Sequence, residues 1–240
     1  MRAAQAGDVG DVWFAALRQT EGRGRRGRAW ETAHGNLAAS LLVVPDADPA
    51  IAATLGFVAG VALNRALSAA LGGTVKNGAD AANARIALKW PNDVLADGAK
   101  LAGILLEAQK LPSGKMAIVI GLGVNVVAAP VGLPYPATSV AELGSDVSAE
   151  TILATLGECW VDCFEAWDNG RGVAEILALW RRSAVGIGSE VAVSRAGDVV
   201  RGIFETIDDE GRLIVRANDN QRIAITAGDV HFGTTASILK

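Results

Sequence analysis

Between Gly22 and Arg28 the sequence reads GRGRRGR, four arginines and three glycines in seven positions. Glycine interleaved with arginine costs chain entropy unless the backbone must come close to something. A loop of this kind can fold over a small anion, offering backbone N–H groups and guanidinium forks together. Two other readings compete with a loop that wraps phosphates: a nucleic-acid patch and a dinucleotide-binding turn. Gly22-Arg-Gly24-Arg-Arg-Gly27 satisfies G-x-G-x-x-G, a pattern that needs a strand before it and a helix opening within it, because the pyrophosphate sits on the helix N-terminus. A strand-like run, VWFAALRQT, precedes the loop. The following RAWETAHGN carries no 3.6-residue apolar period and leads into another strand, so the dinucleotide reading is set aside. A nucleic-acid patch would draw phosphate contacts and stacking aromatics from a wider surface. Here the arginines are concentrated in one loop of a chain whose formal net charge is −4, so no nucleic-acid partner is expected.

Three further segments could share an anion with that loop. KWPNDV (Lys89–Val94) puts a lysine at a strand end, before a turn fixed by Pro91. DGAKLAGILLE (Asp97–Glu107) sets Lys100 ahead of a strand of small residues, and GLGVNV (Gly121–Val126) offers Gly121 and Gly123 where a ligand could touch backbone. Cys159 and Cys163 lie four apart in a helical pattern with only His34 and His231 elsewhere, so no four-ligand zinc set can be assembled. Two core-facing thiols are the simpler reading.

These segments need a scaffold, and the 240 residues, half of them hydrophobic, can supply a large core and a small companion. MRAAQAG reads as the last turns of a helix ending at Gly7, where glycine relieves left-handed strain. VWFAALRQT (12–20) and NLAASLLVVP (36–45) read as strands. The run 49–72 reads as one long helix, with Pro49 in its first turn and Gly72 at its end. TVKNGADAANA (74–84) is a polar loop. The run 85–109 reads as strand, turn and strand, and 116–126 as another buried strand. Ser148 is the expected N-cap of an amphipathic helix reaching about Gly170, and a shorter helix follows over 173–184. From about Gly188 short alternating runs punctuated by AGD, DDEG and NDN predict antiparallel hairpins. The organisation expected is one unit over residues 1–186 and a small β unit over 187–240. Apolar runs are broken by Asn, Arg or Gly before they reach a membrane span, and no signal peptide is visible, so no membrane partner is expected.

Taken in order and followed by a small β barrel, GRGRRGRAW, KWPNDV, KLAGILLE and GLGVNV resemble the biotin protein ligases, from about Val12 to Phe232. The first two motifs together are specific, since lipoate ligases of related fold lack both. The resemblance implies an α/β (α+β) fold: a mixed-sheet, class II synthetase-like catalytic domain followed by an SH3-like β barrel. It implies a cytoplasmic enzyme that joins biotin to ATP as biotinyl-5'-AMP and passes biotin to a lysine of a biotin carboxyl carrier domain. Mg²⁺ would ride on the ATP phosphates with no protein ligand named.

By the same resemblance Lys89 and Arg25 are the catalytic residues, Lys89 lying between the biotin carboxylate and the α-phosphate. Gln19, Gly22, Arg23, Gly24, Gly103, Gly121 and Gly123 join Lys89 around biotin. Arg25, Arg28, Trp30, Asn36, Lys100 and Asn125 serve ATP and the adenylate, with Trp30 offering a flat face to adenine and Asn36 lining the pocket. Arg26 is expected to face solvent, and Asn92 and Asp93 to brace the turn. No covalent nucleophile is required, so neither cysteine is an acyl carrier. Exposed strand edges allow a homodimer.

Two departures from the family pattern bear on activity. The Ser-Thr pair that satisfies the ureido carbonyl of biotin falls upstream of Met1, and each missing partner would weaken biotin binding by about 1–3 kcal/mol. Glu21 stands where the family has a small residue. A helix-turn-helix segment ahead of the catalytic domain, present in some members, is not found in this sequence, so operator binding is not expected. A lipoate or octanoate ligase and a non-catalytic ligand-binding homologue are the alternative readings.

Overall fold

Six short apolar runs pair into one antiparallel sheet. The computed structural model describes residues 1–7, 10–72, 85–195 and 198–232. After a short helix α1 (Arg2–Gln5) come β1 (Val12–Ala16), β2 (Leu37–Val43), β3 (Ile86–Lys89), β4 (Asp93–Ala96), β5 (Ala99–Lys110) and β6 (Met116–Val124). Their order across the sheet is β1-β2-β6-β5-β4-β3, and each of these pairings is antiparallel. Parallel contacts are isolated bridges, Leu88 to Ala184 and Lys100 to Ala137.

The run 85–109 forms three strands, where strand, turn and strand were predicted. Asp97 (φ 48°) and Gly98 (φ 80°) make a two-residue turn between β4 and β5. Two successive positive φ values suit the twist of a hairpin, and Asp-Gly is a strong signal for it. The predicted long helix is likewise divided into α2 (Pro49–Ala52) and α3 (Leu55–Ala70). At the break, Thr54 Oγ1 donates to Ile51 O at 2.6 Å and accepts from Trp167 Nε1 at 2.8 Å. The polar loop predicted over 74–84 lies outside the described residues, as do Ala196 and Gly197 of the first predicted hairpin turn.

Helix α3 is mostly apolar because most of it is covered. It packs on the sheet and beneath α4 (Ala149–Trp167) and α5 (Val173–Ser183). Val58 to Asn64 are buried without interruption, and Asn64 Nδ2 is satisfied by Ile86 O at 3.2 Å. By length and composition alone Pro49–Ala70 is apolar enough to cross a membrane, contrary to the expectation that such runs are interrupted; 67% of that window is buried inside the fold. A helix buried over most of its surface reads this way in a folded core. Ser148 caps α4 as predicted, accepting from Thr151 N at 3.3 Å.

A second sheet holds β7 (Glu190–Arg195), β8 (Asp198–Ile207), β9 (Leu213–Arg216), β10 (Arg222–Ile225) and β11 (Asp229–Phe232), in the order β10-β9-β8-β7-β11. All pairings are antiparallel. One hydrophobic core runs through both sheets, including Leu88 and Trp90 from the first and Val191 and Phe204 from the second. Polar bonds lock the junction: Val185 N to Leu88 O at 2.9 Å, Trp90 Nε1 to Gly211 O at 3.0 Å, and Arg181 Nε to Ile207 O at 2.9 Å. Gly211 (φ +74°) carries no side chain because a Cβ there would meet the Phe57 ring at 2.4 Å. Trp90→Phe leaves the Gly211 carbonyl unpaired in a buried junction, so stability should fall by about 1–3 kcal/mol. A urea titration checks this; an unchanged midpoint would show that the junction does not depend on that bond.

Candidate active site

The glycine–arginine loop is a small hairpin. Trp30 N bonds Gly22 O at 2.9 Å, and Gly24 N bonds Arg28 O at 2.7 Å. Its tip is a single 3-10 turn, Arg25–Gly27, with Arg26 (φ 56°) and Gly27 (φ 72°) both left-handed. No α-helix opens within it, in accord with the rejection of a dinucleotide-binding turn. Gly22 is required by close approach, since a Cβ there would lie 2.1 Å from Trp30 O. The strand before the loop ends at Ala16, short of the predicted Thr20, and leaves Gln19 exposed against Gly22.

The arginines divide by direction. Arg25 turns inward, donating from Nη1 to Asn92 Oδ1 at 3.1 Å and to Gly228 O at 3.4 Å, and burial lowers its pKa. Arg28 pairs with the Asp229 carboxylate. Arg26 is exposed, as expected, and its Nη1 also meets Asp229 Oδ2 at 3.0 Å, where the left-handed backbone at this residue turns the tip onto β11. Arg23 is exposed.

Lys89 ends β3 and lies near the same two carboxylates as Arg25, Asp93 and Asp229. Its ammonium stands over the Phe232 ring, 5.4 Å from the centroid. Burial pushes its pKa below the ordinary lysine value, Asp93 and Asp229 pull it back, and Lys100 pushes it further down. His231, on β11, is also pushed down, first by burial and then by Lys89 and Arg28, against the pull of Asp229. Lys100 pairs with Asp93 at 2.6 Å and lies 5.6 Å from the ring centres of Trp30 and of Tyr135.

Trp30 lies against two glycines of the sheet. Gly103 and Gly123 are direct partners across β5 and β6, and Cβ atoms there would approach the Trp30 ring to 3.1 Å and 2.4 Å. Gly121 sits two residues along β6, where a Cβ would have ordinary contact with Leu105 at 3.5 Å.

Comparison with known proteins identifies the family. Residues 10–125 match the biotin/lipoate A/B protein ligase family and residues 186–233 the biotin protein ligase C-terminal domain. A biotin–[acetyl-CoA-carboxylase] ligase of Paracoccus denitrificans is 37% identical over 230 residues, covering 93% of this chain and 91% of that protein. The chain belongs to the biotin protein ligase family. A Mycobacterium tuberculosis ligase of the same name is 35% identical over 235 residues, covering 95% of this chain and 82% of that one. Among solved structures, the biotin protein ligase from Aquifex aeolicus in complex with biotin and ATP has the same fold, with a TM-score of 0.77 at 22% identity over 97% of this chain and 94% of that one.

Within this biotin protein ligase fold two asparagines do other work than the sequence suggests. Asn36 is buried, and its Oδ1 accepts from Val126 N, Val127 N and Ala128 N at 2.9, 2.8 and 3.2 Å while its Nδ2 donates to Ala128 O at 2.8 Å. It braces the turn after β6 and is not free to line the pocket. Asn125 Nδ2 is spent on Thr138 O at 3.1 Å; its Oδ1 is buried with no donor among the described residues. Asn92 braces its turn as expected, donating to Ile104 O at 2.6 Å, and also holds Arg25. Tyr135, Asp229 and Phe232 were not foreseen. They lie far along the chain from both motifs, and no local pattern marks them.

Because burial lowers the Lys89 pKa, its ammonium costs stability at every pH below the folded value. That cost disappears as pH rises through the folded value towards 10.5, the ordinary lysine value. Lys89→Met should therefore melt at or above the native temperature at pH 7, by about 2–4 °C for each kcal/mol of desolvation relieved, with the difference shrinking at alkaline pH. Scanning calorimetry across pH reads both; a variant that melts below the native protein contradicts the buried-charge account.

Proposed function

We propose that this protein is an ATP-dependent ligase that activates biotin as biotinyl-5'-AMP and transfers it to a lysine of a biotin carboxyl carrier protein. The observation that carries this reading is the convergence of Lys89 and the arginine hairpin on the same two carboxylates, Asp93 and Asp229, in a chain of the biotin protein ligase family. Activation requires a carboxylate oxygen to attack the α-phosphorus while pyrophosphate leaves. Two anions must meet, and a fixed, partly desolvated ammonium at Lys89 would offset their repulsion and stabilise charge in the displacement. Arg25, held by Asn92, would take the same phosphate from the loop side. Arg28 and Lys100 would meet the outer phosphates by exchanging Asp229 and Asp93 for them.

The sheet supplies the other half of the site. Gly103 and Gly123 would let biotin lie against backbone, with Gln19 and Gly22 at the loop base, and Trp30 would turn its ring to adenine. The closed hairpin would exclude water from the mixed anhydride until the carrier lysine attacks it and AMP departs. Asp93 and Asp229 are each engaged by cations, so the donor set fits Mg²⁺ carried on ATP phosphates with its own waters. ATP as substrate and two free thiols, Cys159 and Cys163, fit the cytoplasm.

Incubation with biotin, ATP and Mg²⁺ should release pyrophosphate and leave biotinyl-AMP bound, and a carrier domain should then become biotinylated. Lys89→Ala should slow pyrophosphate release by about 10²–10³-fold, as loss of a transition-state donor does. Undiminished release would remove Lys89 from the mechanism. Calorimetric titration with lipoate beside biotin checks the substrate; preference for lipoate would overturn the assignment.

A further inference from the structure

Arg25 holds the tip of the arginine hairpin to Asn92, after the strand that carries Lys89. The other contacts of the tip are made with the C-terminal sheet. Arg25 Nη1 reaches Gly228 O at 3.4 Å, Arg26 Nη1 reaches Asp229 Oδ2 at 3.0 Å, Arg26 Nη2 reaches Ser194 O at 3.5 Å, and Arg28 Nη2 reaches the same Asp229 oxygen. The Asp229 side chain is 25% exposed, against 43% for Arg26 and 57% for Arg28. The carboxylate is thus the fixed member of both pairs.

Its fixity has a local cause. Asp229 opens β11 in register with Ser194 of β7. The preceding Gly228 is buried, and a Cβ there would come within 2.6 Å of Val193 Cγ1, so the strand entry is closely packed. Three residues further on, Phe232 faces the Lys89 ammonium. One short strand therefore carries both a latch for the loop and a wall for the lysine. The loop's own chemistry makes a latch necessary, since four arginines in seven positions repel one another and the glycines among them favour open states.

We propose that Asp229 is a positioning residue that latches the arginine hairpin shut against the C-terminal sheet and, on the function proposed above, retains biotinyl-AMP between activation and transfer. Arg26 remains on Asp229 when Arg28 turns to phosphate, which gives a role to the one loop arginine that ligand contacts leave unused. The C-terminal sheet then takes part in catalysis without touching the reacting atoms.

Limited trypsin digestion of the ligand-free protein, read by mass at Arg25 and Arg28, reports how often the hairpin opens. Asp229→Asn should raise cleavage there about tenfold, with cleavage elsewhere unchanged, and Asp229→Glu should restore the native rate. Arg26→Gln removes one pair from the other side and should raise cleavage about threefold, which keeps the test decisive if the strand variant folds poorly. In the presence of biotin, ATP and Mg²⁺, Asp229→Asn should release biotinyl-AMP about tenfold faster, seen as biotin on unrelated lysines. Native-like cleavage in both variants overturns the latch. Faster cleavage with unchanged adenylate release overturns its part in retention. A native protein that makes no adenylate would refute the proposed function, while the trypsin result would still decide the latch.

Discussion

The rest of the structure depends on positive charge withdrawn from water with too little negative charge beside it. Lys89 and Arg25 both have their pKa lowered by burial, and His231 is pushed the same way by burial and by Lys89. Asp93 and Asp229 answer this excess and are themselves engaged by Lys100, Arg26 and Arg28. Among the described residues no carboxylate lies within 4.0 Å of the Lys89 ammonium, which faces an aromatic ring instead. A site of this kind is costly to fold and favourable to fill with anions, because every interaction within it is stronger than in water. The same imbalance that lowers stability would lower the barrier when a carboxylate and a phosphate are brought together.

Holding that charge in place is the task of the short segment after β3. Lys89 faces Phe232, Trp90 bonds Gly211, Asn92 bonds Arg25 and Ile104, and Asp93 pairs with Lys100. Consecutive residues thus tie the first sheet to the second sheet, to the arginine hairpin and to β5. The continuous core beneath them, from α3 through Trp90 to Phe204, makes the two sheets one support. On the proposed function the adenylate would lie where these walls meet, and the loop, the lysine and the C-terminal strand are positioned by a single junction.

Much of this was legible because the chemistry and its supports are close in sequence. The hairpin announces itself by glycine between arginines, and Lys89 by its place before a Pro-Asn-Asp turn. The strand β4 carried its own Asp-Gly turn signal and was overlooked because its apolar run is only a few residues long. Asn36 was misread for a different reason. A buried amide can satisfy a ligand or a backbone turn equally well, and only the fold reveals that residues 126–128 consume its bonds. Asp229, Phe232 and Tyr135 gave no signal, since their importance arises from pairing β11 with β7 and from a loop crossing near Lys100. The pairing of Arg26 was missed because its partner comes from that same distant strand.

The most direct test of the central claim is the ionisation of Lys89 itself, followed by NMR of the ε-ammonium in the free protein and with a non-hydrolysable biotinyl-AMP analogue. The account predicts a pKa below the ordinary lysine value in the free protein and a rise on binding, as the analogue's negative charge replaces the water that folding removed. A lysine that titrates at its ordinary value and does not respond to the analogue would contradict it.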